Sequence, residues 1–327
     1  MTNNFWRNKK VLITGYEGFL GSHLTEALID YGANVVGLDI VTHRRHTILS
    51  DKNLNKIKII KANVENFCLV SRIIKENKIE FIFHLAAKAL VGECLQDPVK
   101  AFCTNIKGTW NILQASRNSD TIKALLIASS DKAYGIQNEL PYKETSSLAG
   151  CHPYDVSKSC ADLLAYTYFH TYGLPVCVTR CGNIFGSGDF NFSRIVPDTI
   201  RSAIKNKTLI IRSDGKFTRD YIYVKDVISG YLNLAKKINN LKLFGETFNF
   251  SNEKPISVLE LVKTIYELVG KRPAYKILNQ VRYEIKHQYL CSSKAKRILN
   301  WKPGYTLRKG LKETIKWYKE YFQDDKK

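Results

Sequence analysis

A glycine-rich loop joins the first predicted strand to the first predicted helix. The apolar run Lys10–Thr14 predicts a buried parallel strand, and apolar spacing over residues 20–31 predicts a helix. Between them stand Gly15, Gly18 and Gly21, in the spacing GxxGxxG. Such glycines allow a tight turn, close approach of the backbone to a pyrophosphate, and close helix–strand packing. The junction therefore predicts a dinucleotide site at the N-terminus of the helix.

Strand and helix signals alternate along the first half of the chain. Further strands are predicted at residues 34–40, 56–62, 80–85, 124–129 and 175–180, and helices at 68–76, 99–116 and 154–172. Alternating strands and helices indicate a Rossmann-type doubly wound α/β fold, whose parallel sheet is covered on both faces.

The later chain is less regular. It has predicted strands at 209–212 and 246–250 and predicted helices at 258–269 and 307–322. We therefore expect a dinucleotide-binding domain of residues 1–182, to which segments at about 215–250 return. Residues 183–327 would then form mainly a smaller mixed α/β substrate-binding lobe.

Asp39 at the end of the second predicted strand bears on the choice of cofactor. A carboxylate at this point can bind the adenosine ribose hydroxyls and would repel a 2′-phosphate, which favours NAD over NADP. Arg44 and Arg45 follow closely and could pair with such a phosphate, which leaves NADP open.

Tyr154 and Lys158 form a YxxxK motif on a predicted helix. The i, i+4 spacing places the phenol and the ammonium on the same helix face. A nearby ammonium favours phenolate, so we expect the pKa of the tyrosine to fall from about 10 toward neutrality, and a positively charged nicotinamide would act in the same direction. Such a tyrosine can remove a hydroxyl proton while a hydride leaves the same carbon.

Ser130, Asp131 and Lys132 directly follow the fifth predicted strand. The carboxyl ends of strands face the ligand crevice in a doubly wound sheet. Ser130 can therefore bond to a substrate hydroxyl beside Tyr154, and Asp131 and Lys132 are a neighbouring acid and base at the same crevice.

Composition is that of an ordinary folded protein. Of the 327 residues, 44% are hydrophobic and 24% charged, which excludes a disordered, collagen-like or coiled-coil chain. The sequence contains no apolar run long enough for a membrane helix. The polar start MTNNFWRNKK leads into VLITG without a signal region, so we expect a cytoplasmic location.

The net charge of +20 comes from 50 Lys and Arg against 30 Asp and Glu. Because the basic residues are scattered, a lysine-rich surface without a specific partner is the simplest interpretation. Steering of an anionic small molecule and, more remotely, nucleic-acid binding are the alternatives. The eight cysteines form no CxxC pair and show no zinc spacing, so we predict no metal site.

Six motifs occur in chain order: TGxxGFLGSHL, HLAA, NIKGTWNIL, SSDKAYG, YxxSK and RCGNIFG. Together they resemble the extended short-chain dehydrogenase/reductases, which are nucleotide-sugar epimerases and dehydratases. The similarity extends to the C-terminal stretch SSKAKRILNWKPGYTLRKGL. It implies NAD as cofactor, a nucleotide-diphosphate sugar as substrate, and no nucleic-acid or membrane partner.

The resemblance also implies site residues. The cofactor would be bound by Gly15, Gly18, Phe19, Leu20, Gly21, Asp39, Ile40, Asn63, Val64, Leu85, Ala86, Ala87, Lys88, Asn105, Tyr154 and Lys158. The substrate would be bound by Ser130, Asn183, Arg194 and Arg219.

Within this family, the pair after Ser130 distinguishes activities. Hexose 4-epimerases have small or neutral residues there and dTDP-glucose 4,6-dehydratases have Asp-Glu, whereas Asp131-Lys132 resembles the CDP-glucose 4,6-dehydratases. The implied reaction oxidises C4 of the hexose, eliminates water across C5 and C6, and returns the hydride to C6. Tyr154 would take the C4 hydroxyl proton, Asp131 would be the acid and Lys132 the C5 base. Lys158 would hold the nicotinamide ribose and Tyr154.

Other activities remain open. An epimerase or decarboxylase of a nucleotide sugar would share Tyr154 and Lys158 but use Asp131 and Lys132 differently. A catalytically silent NAD- or nucleic-acid-binding protein could have the same fold, although the intact Ser130–Tyr154–Lys158 set is evidence against it.

Two long predicted helices bear on the oligomeric state. Dimers of this superfamily often form through the helices that correspond here to residues 99–116 and 155–172. This implies a homodimer, but the apolar faces of both helices could equally pack in the core.

Overall fold

A parallel sheet of seven strands forms the centre of the molecule. The structure is a computed structural model that describes residues 5–44, 46–281 and 285–324. Its strands are β1 (Lys10–Thr14), β2 (Asn34–Asp39), β3 (Lys58–Lys61), β4 (Phe81–His84), β5 (Ala124–Ala128), β6 (Val176–Cys181), β7 (Asn183–Phe185), β8 (Leu209–Ile211), β9 (Thr218–Arg219), β10 (Tyr221–Tyr223), β11 (Thr247–Phe250), β12 (Ile256–Ser257), β13 (Tyr275–Ile277) and β14 (His287–Gln288). The central sheet has the order β11-β6-β5-β4-β1-β2-β3, and all its neighbours are parallel. The predicted Rossmann-type fold is confirmed.

Helices connect the strands. They are α1 (Phe19–Asp30), α2 (Asp51–Leu54), α3 (Phe67–Glu76), α4 (Val91–Gln96), α5 (Pro98–Phe102), α6 (Gly108–Arg117), α7 (Pro153–Tyr172), α8 (Ile195–Ile204), α9 (Val224–Lys237), α10 (Val258–Val269), α11 (Ser293–Leu299) and α12 (Leu307–Asp324). A 3₁₀ helix, Asp131–Tyr134, follows β5. None of the helices in the described part of the chain could span a membrane, because each is too short or too polar.

Successive side chains of β1 enter separate cores on the two faces of the sheet. Val11 and Ile13 belong to one buried cluster and Leu12 to another. A strand covered on both faces is apolar at consecutive positions, which explains the unbroken run that predicted it. The observed bounds of β1 are those predicted.

The helix predicted over residues 99–116 is not one regular α-helix. A π-helical segment, Cys103–Lys107, joins α5 to α6. The wider turn directs the Asn105 amide inward, where it donates to the Lys88 carbonyl at 3.0 Å and to the Ser157 hydroxyl at 2.9 Å. These tertiary hydrogen bonds outweigh the regular helical pattern.

The later chain forms small sheets and returns one strand to the large sheet. In the described part, β7 pairs with β10, β8 pairs with β13, and β9 lies between β12 and β14. β11 lies beside β6, with Thr247 opposite Val178. The division into domains at residue 182 stays a prediction.

Candidate active site

The glycine loop between β1 and α1 packs against the residues that follow β4. Gly15 has a φ of +74°, which favours glycine, and a Cβ there would lie 3.0 Å from the Ala86 nitrogen. A Cβ on Gly21 would lie 1.9 Å from the Gly15 carbonyl oxygen. Gly18 is the N-cap of α1, and no side chain of the described residues caps it. The first N–H groups of α1 are therefore available to a phosphate.

The other residues predicted to bind the cofactor lie along the same edge of the sheet. The carboxyl ends of parallel strands meet at one edge, so residues that follow β1 to β4 are brought together there. They are Phe19 and Leu20 after β1, Asp39 and Ile40 at the end of β2, Asn63 and Val64 after β3, and Leu85, Ala86, Ala87 and Lys88 after β4. Asn105 joins them through its bonds to the Lys88 backbone, at 2.8 Å from the Lys88 nitrogen to Oδ1.

Asp39 is buried at the end of β2 and is paired with Arg44. The Arg44 guanidinium donates to the two carboxylate oxygens at 3.1 and 3.3 Å. Asp39 is 6% exposed, whereas Arg44 is exposed. Arg44, which could have paired with a 2′-phosphate, is thus bound to Asp39, whose carboxylate would repel such a phosphate. Arg45 lies outside the described residues.

Tyr154 and Lys158 lie in the first two turns of α7, which begins at Pro153. Lys158 Nζ is 5.9 Å from the centroid of the Tyr154 ring. Its hydrogen bond goes to the Ala128 carbonyl at the end of β5, at 2.7 Å. Ser157 Oγ accepts a hydrogen bond from the Asn105 amide, which links α7 to the segment between α5 and α6. Within α7, the same hydroxyl donates to the Tyr154 carbonyl at 2.7 Å.

The expected lowering of the Tyr154 pKa is wrong for the protein by itself. Burial raises the pKa of Tyr154 to about 12, although a hydrogen bond with Ser130 and the charge of Arg194 lower it in part. Lys158 does not offset the burial, because its ammonium is bonded to Ala128 rather than to the phenol. Burial also lowers the pKa of Lys158 to about 8, against the charge of Asp162.

Ser130, Asp131 and Lys132 form the turn that follows β5. Ser130 Oγ donates to Asp131 Oδ1 at 3.0 Å and accepts from the Lys132 nitrogen at 3.2 Å, which caps the 3₁₀ helix. Lys132 Nζ lies 3.8 Å from Asp131 Oδ1. Asp131 is buried, and its charge raises the pKa of Tyr154. The structure therefore brings this turn and Tyr154 together.

The sequence did not predict a site role for two nearby residues, Gln288 and Asp155. Gln288 Oε1 accepts a hydrogen bond from Lys132 Nζ at 2.5 Å, although Gln288 comes 156 positions later. No local pattern marks such a residue, because only the fold brings it close. Asp155 was visible inside the YxxSK motif. It is buried, its pKa is raised by burial, and the charge of Lys132 acts on it.

Besides Ser130, the predicted substrate residues Arg219, Arg194 and Asn183 differ in environment. Arg219 is 7% exposed, and its Nη1 donates to the carbonyls of Thr218 and Lys286 at 2.9 and 3.1 Å. Arg194 is partly exposed and pairs with Asp189 at 3.1 Å. Asn183 begins β7 and donates its backbone N–H to the Asp220 carbonyl at 2.9 Å. The charge of Arg194 acts on the Tyr154 phenol, which places this arginine in the neighbourhood of Tyr154.

The N-terminus of α7 brings together three groups that can bind metals, which the sequence spacing did not predict. The ligand atoms of Cys151, His152 and Asp155 lie within 4.8 Å of one another. The positive end of the helix and the neighbouring Lys132 both disfavour a cation there. We assign no metal role to this cluster.

The fold and the site together define a class of protein. The sheet is doubly wound and has a glycine loop before α1. A tyrosine–lysine pair on α7 lies beside the turn that follows β5. This combination is typical of the extended short-chain dehydrogenase/reductases. The family model for GDP-mannose 4,6 dehydratase matches residues 12–314. The chain belongs to this family of nucleotide-sugar dehydratases and epimerases.

Similar proteins have two kinds of activity. The chain is 31% identical to the UDP-glucuronate 4-epimerase of Thermodesulfobacterium geofontis, over 94% of this chain and 96% of that protein. It is 29% identical to the CDP-glucose 4,6-dehydratase of Salmonella typhimurium, over 98% of this chain and 94% of that protein. The solved dTDP-glucose 4,6-dehydratase of Bacillus anthracis, in complex with NAD, has a TM-score of 0.84 and 27% identity, with 96% of this chain and 98% of that chain covered.

Proposed function

We propose that this protein is an NAD-dependent nucleotide-sugar 4,6-dehydratase, with CDP-glucose as the expected substrate. The observation that carries the proposal is the Asp131–Lys132 pair, with Nζ and Oδ1 at 3.8 Å, in the turn that contacts Tyr154. An acid and a base beside a tyrosine that can deprotonate a hydroxyl are what an oxidation followed by an elimination needs.

The cofactor of this family is NAD, and the residues present fit it. A side chain at position 15 or 21 would collide with the protein's own backbone, so glycine there lets the loop pack tightly against the strand ends, and α1 presents its first N–H groups at this point. Asp39 provides a buried carboxylate for ribose hydroxyls. When bound, NAD supplies a hydride acceptor for C4 of the hexose and a hydride donor for C6.

Tyr154 removes the proton of the C4 hydroxyl in this proposal. Ser130 contacts the phenol and can bond to the same hydroxyl, so it orients the sugar. Lys158, anchored on Ala128, contributes positive charge and a donor for the ribose of the cofactor. An epimerase would use the same residues in the same way. They therefore account for the oxidation of C4 and do not show whether an elimination follows.

Asp131 and Lys132 carry the elimination. Once C4 is a ketone, the C5 proton is acidic, so Lys132 takes that proton while Asp131 protonates the departing C6 hydroxyl. The C5–H and C6–O bonds break, a C5=C6 double bond forms, and water leaves. The acid role needs a proton on Asp131, and the base role needs a neutral amine on Lys132. The ion pair of the Asp131 carboxylate and the Lys132 ammonium contains the same number of protons, so transfer of one proton between the two side chains prepares both roles.

Asn183, Arg194 and Arg219 bind the nucleotide diphosphate in this proposal. Guanidinium groups suit bidentate contact with phosphate oxygens. Arg219 is already held by two carbonyls, which orients its remaining donors. The net charge of +20 would favour the approach of an anionic sugar nucleotide.

A nucleotide-sugar 4-epimerase is the second candidate. It is favoured by the 31% identity to the UDP-glucuronate 4-epimerase, which is slightly above the 29% identity to the CDP-glucose 4,6-dehydratase. An epimerase would oxidise C4 and return the hydride to C4 on the other face. It would not need an acid and a base at C5 and C6, which is why Asp131 and Lys132 favour the dehydratase.

A homodimer is part of the proposal. Val99, Trp110, Leu163 and Tyr166, on the helices α5, α6 and α7, are 70%, 53%, 56% and 57% exposed. Burial of these apolar side chains against a second copy would stabilise a pair. The two domains divided at residue 182 form the cofactor and substrate lobes in this proposal. The cytoplasmic location stays a prediction.

Incubation with CDP-, dTDP-, GDP- and UDP-hexoses, followed by mass spectrometry, tests the function. We expect one donor, CDP-glucose first, to lose one water. A product of unchanged mass but altered chromatographic mobility would identify an epimerase. No turnover of any donor would favour a silent NAD-binding protein. Tyr154→Phe should abolish turnover in either active case and serves as the control.

A further inference from the structure

Gln288 reaches the proposed base from a small sheet formed late in the chain. Its Oε1 accepts a hydrogen bond from Lys132 Nζ at 2.5 Å, and its side chain is fully buried. An ammonium can only donate, so the amide oxygen, and not the amide nitrogen, has to face Lys132.

The other end of this amide has no hydrogen-bond partner among the residues that the structure describes. Gln288 Nε2 is buried without a hydrogen bond to any of the described residues. A buried amide with a purely structural role normally uses both of its ends. The bond to Lys132 is therefore the polar contact that gives this side chain its orientation in the described part of the chain.

The backbone around Gln288 is held from two sides. In the small sheet, Gln288 lies opposite Arg219, whose guanidinium donates to the Lys286 carbonyl at 3.1 Å. On the other side, the Tyr142 nitrogen donates to the Tyr289 carbonyl at 3.0 Å. The strand that carries Gln288 thus connects the proposed phosphate ligand Arg219 with the turn that carries Lys132.

The charges around Lys132 show what a neutral amide contributes. The charges of Asp131, in the same turn, and of Asp155, on α7, both interact with the charge of Lys132. Arg219 lies opposite Gln288 on the neighbouring strand β9. A third carboxylate would hold the ammonium proton more firmly, whereas an amide oxygen orients the group without adding charge.

We propose that Gln288 is a positioning residue that holds the Lys132 side chain in place for proton transfer at C5, as a neutral acceptor. This inference rests on the proposed function for the meaning of Lys132. The contact itself can be tested without turnover.

Gln288→Met and Gln288→Glu, both similar in size to glutamine, test the inference. Gln288→Met should slow water loss about tenfold, the effect of losing a hydrogen bond to a charged group, and leave C4 oxidation unchanged. Gln288→Glu should move the pH profile of water loss upward by about one unit, because the carboxylate retains the lysine proton. In a Lys132→Met background, neither change should have a further effect. Additive losses in that background would overturn the inference.

Competitive acetylation of Lys132, read by mass spectrometry, tests the contact independently. We expect Lys132 in Gln288→Glu to react about tenfold more slowly at a given pH than in the native protein, because less of the amine is neutral. Equal rates would overturn the inference even if the enzyme is active. If the native protein converts no sugar nucleotide but the rates differ, the proposed function fails and the contact stands.

His287→Gln is the matched control. His287 precedes Gln288 on β14 but is exposed and contacts Thr218 Oγ1 at 3.0 Å. This variant should leave both the acetylation of Lys132 and the pH profile unchanged. If His287→Gln altered the acetylation rate and the pH profile as Gln288→Glu does, the cause would be a loosened β14 strand. That result would overturn the role of Gln288.

Discussion

Lys158 Nζ donates a hydrogen bond to the Ala128 carbonyl oxygen at 2.7 Å, where β5 ends. The ammonium is therefore tied to the sheet, 5.9 Å from the centroid of the Tyr154 ring. Burial raises the pKa of Tyr154 to about 12 and lowers that of Lys158 to about 8. The lysine alone does not produce a phenolate near neutrality, so the tyrosine needs a second positive charge, which an oxidised nicotinamide would provide.

We expect oxidised NAD to bind more tightly as the pH rises from neutral to mildly alkaline. A nicotinamide cation lowers the pKa of Tyr154 from about 12, so the complex carries fewer protons than the free protein. Affinity should rise by up to about tenfold per pH unit where only the complex has lost the proton. Calorimetry in buffers of different ionisation enthalpy measures both the affinity and the proton release. Tyr154→Phe should remove both effects, and an unchanged slope in that variant would assign the proton to another group.

Lys132→Met should stop elimination and spare oxidation. Water loss should fall by about 10²- to 10⁴-fold, the range for a general base, while NADH absorbance accumulates during turnover. Stopped-flow absorbance and mass spectrometry measure the two steps separately. Lys143→Met, at an exposed lysine in the following loop, is the control and should behave as the native protein. Normal water loss in Lys132→Met would mean that Lys132 is not the base.

Asp39→Ser should shift the cofactor preference from NAD toward NADP. The change removes a buried acceptor for ribose hydroxyls and releases Arg44, now held at 3.1 and 3.3 Å, to meet a 2′-phosphate. We expect NAD to bind about tenfold or more weakly, the usual effect of losing hydrogen bonds to a charged group, and NADP to bind more tightly. Fluorescence titration with NADH and NADPH measures this. Adding Arg44→Ala should cancel the gain, and a gain that survives it would exclude Arg44 as the ligand.

Gly21→Ala should impair cofactor binding. The new Cβ would lie 1.9 Å from the Gly15 carbonyl oxygen, so α1 or the loop has to move. We expect a loss of NAD affinity of at least about tenfold and a free energy of unfolding lower by about 1–3 kcal/mol, as for other overpacked sites. Gly92→Ala on α4 meets no atom within 4 Å among the described residues and should leave affinity unchanged. Equal effects of the two changes would contradict the tight loop.

The free energy of unfolding should fall as the pH drops below about 6.5, the pKa of an unfolded histidine. Burial lowers the pKa of His84 to about 3 and that of His23 to about 4, so the folded protein keeps both neutral while the unfolded chain binds protons. Each histidine contributes a loss of up to about 1.4 kcal/mol per pH unit. Asp220, whose pKa burial raises to about 6, acts in the opposite sense from about pH 6 to about pH 4, because there the folded state holds its proton more firmly.

Urea unfolding at a series of mildly acidic pH values measures this slope. His84 bonds to Thr14 and Thr109 hydroxyls at 2.8 and 3.1 Å. His84→Gln should lower stability at neutral pH, because these bonds are weakened, but should also make stability depend less on pH. A variant with the native slope would show that His84 is not the source of the pH dependence.

Much of the fold was predictable because local patterns and tertiary structure agree. β1 and α10 have the predicted bounds, since an unbroken apolar run and an amphipathic repeat each describe how these elements are buried. The prediction of one regular helix at residues 99–116 was wrong in detail. Its π-helical turn depends on bonds from Asn105 to Lys88 and Ser157, which are distant in sequence. Periodicity alone contains no information on such contacts.

The positions of the candidate site residues in the fold were predictable where motifs and strand ends coincide, whereas their roles stay a prediction. Tyr154, Lys158 and the Ser130–Lys132 turn follow from this, because the carboxyl ends of the strands share one edge. The pKa of Tyr154 was not predictable, since it depends on burial and on where the Lys158 ammonium points. Gln288 was not predictable either, because its place beside Lys132 arises from the pairing of β14 with β9.

The last strand to join the central sheet, β11, is made long after its neighbour β6. A growing chain that has not yet reached Phe250 leaves the hydrogen-bonding edge of β6 open, and open strand edges favour aggregation. Production of the N-terminal half as a separate domain would therefore expose this edge permanently. A soluble cofactor-binding fragment would need β11 supplied, for example through a short linker after β6.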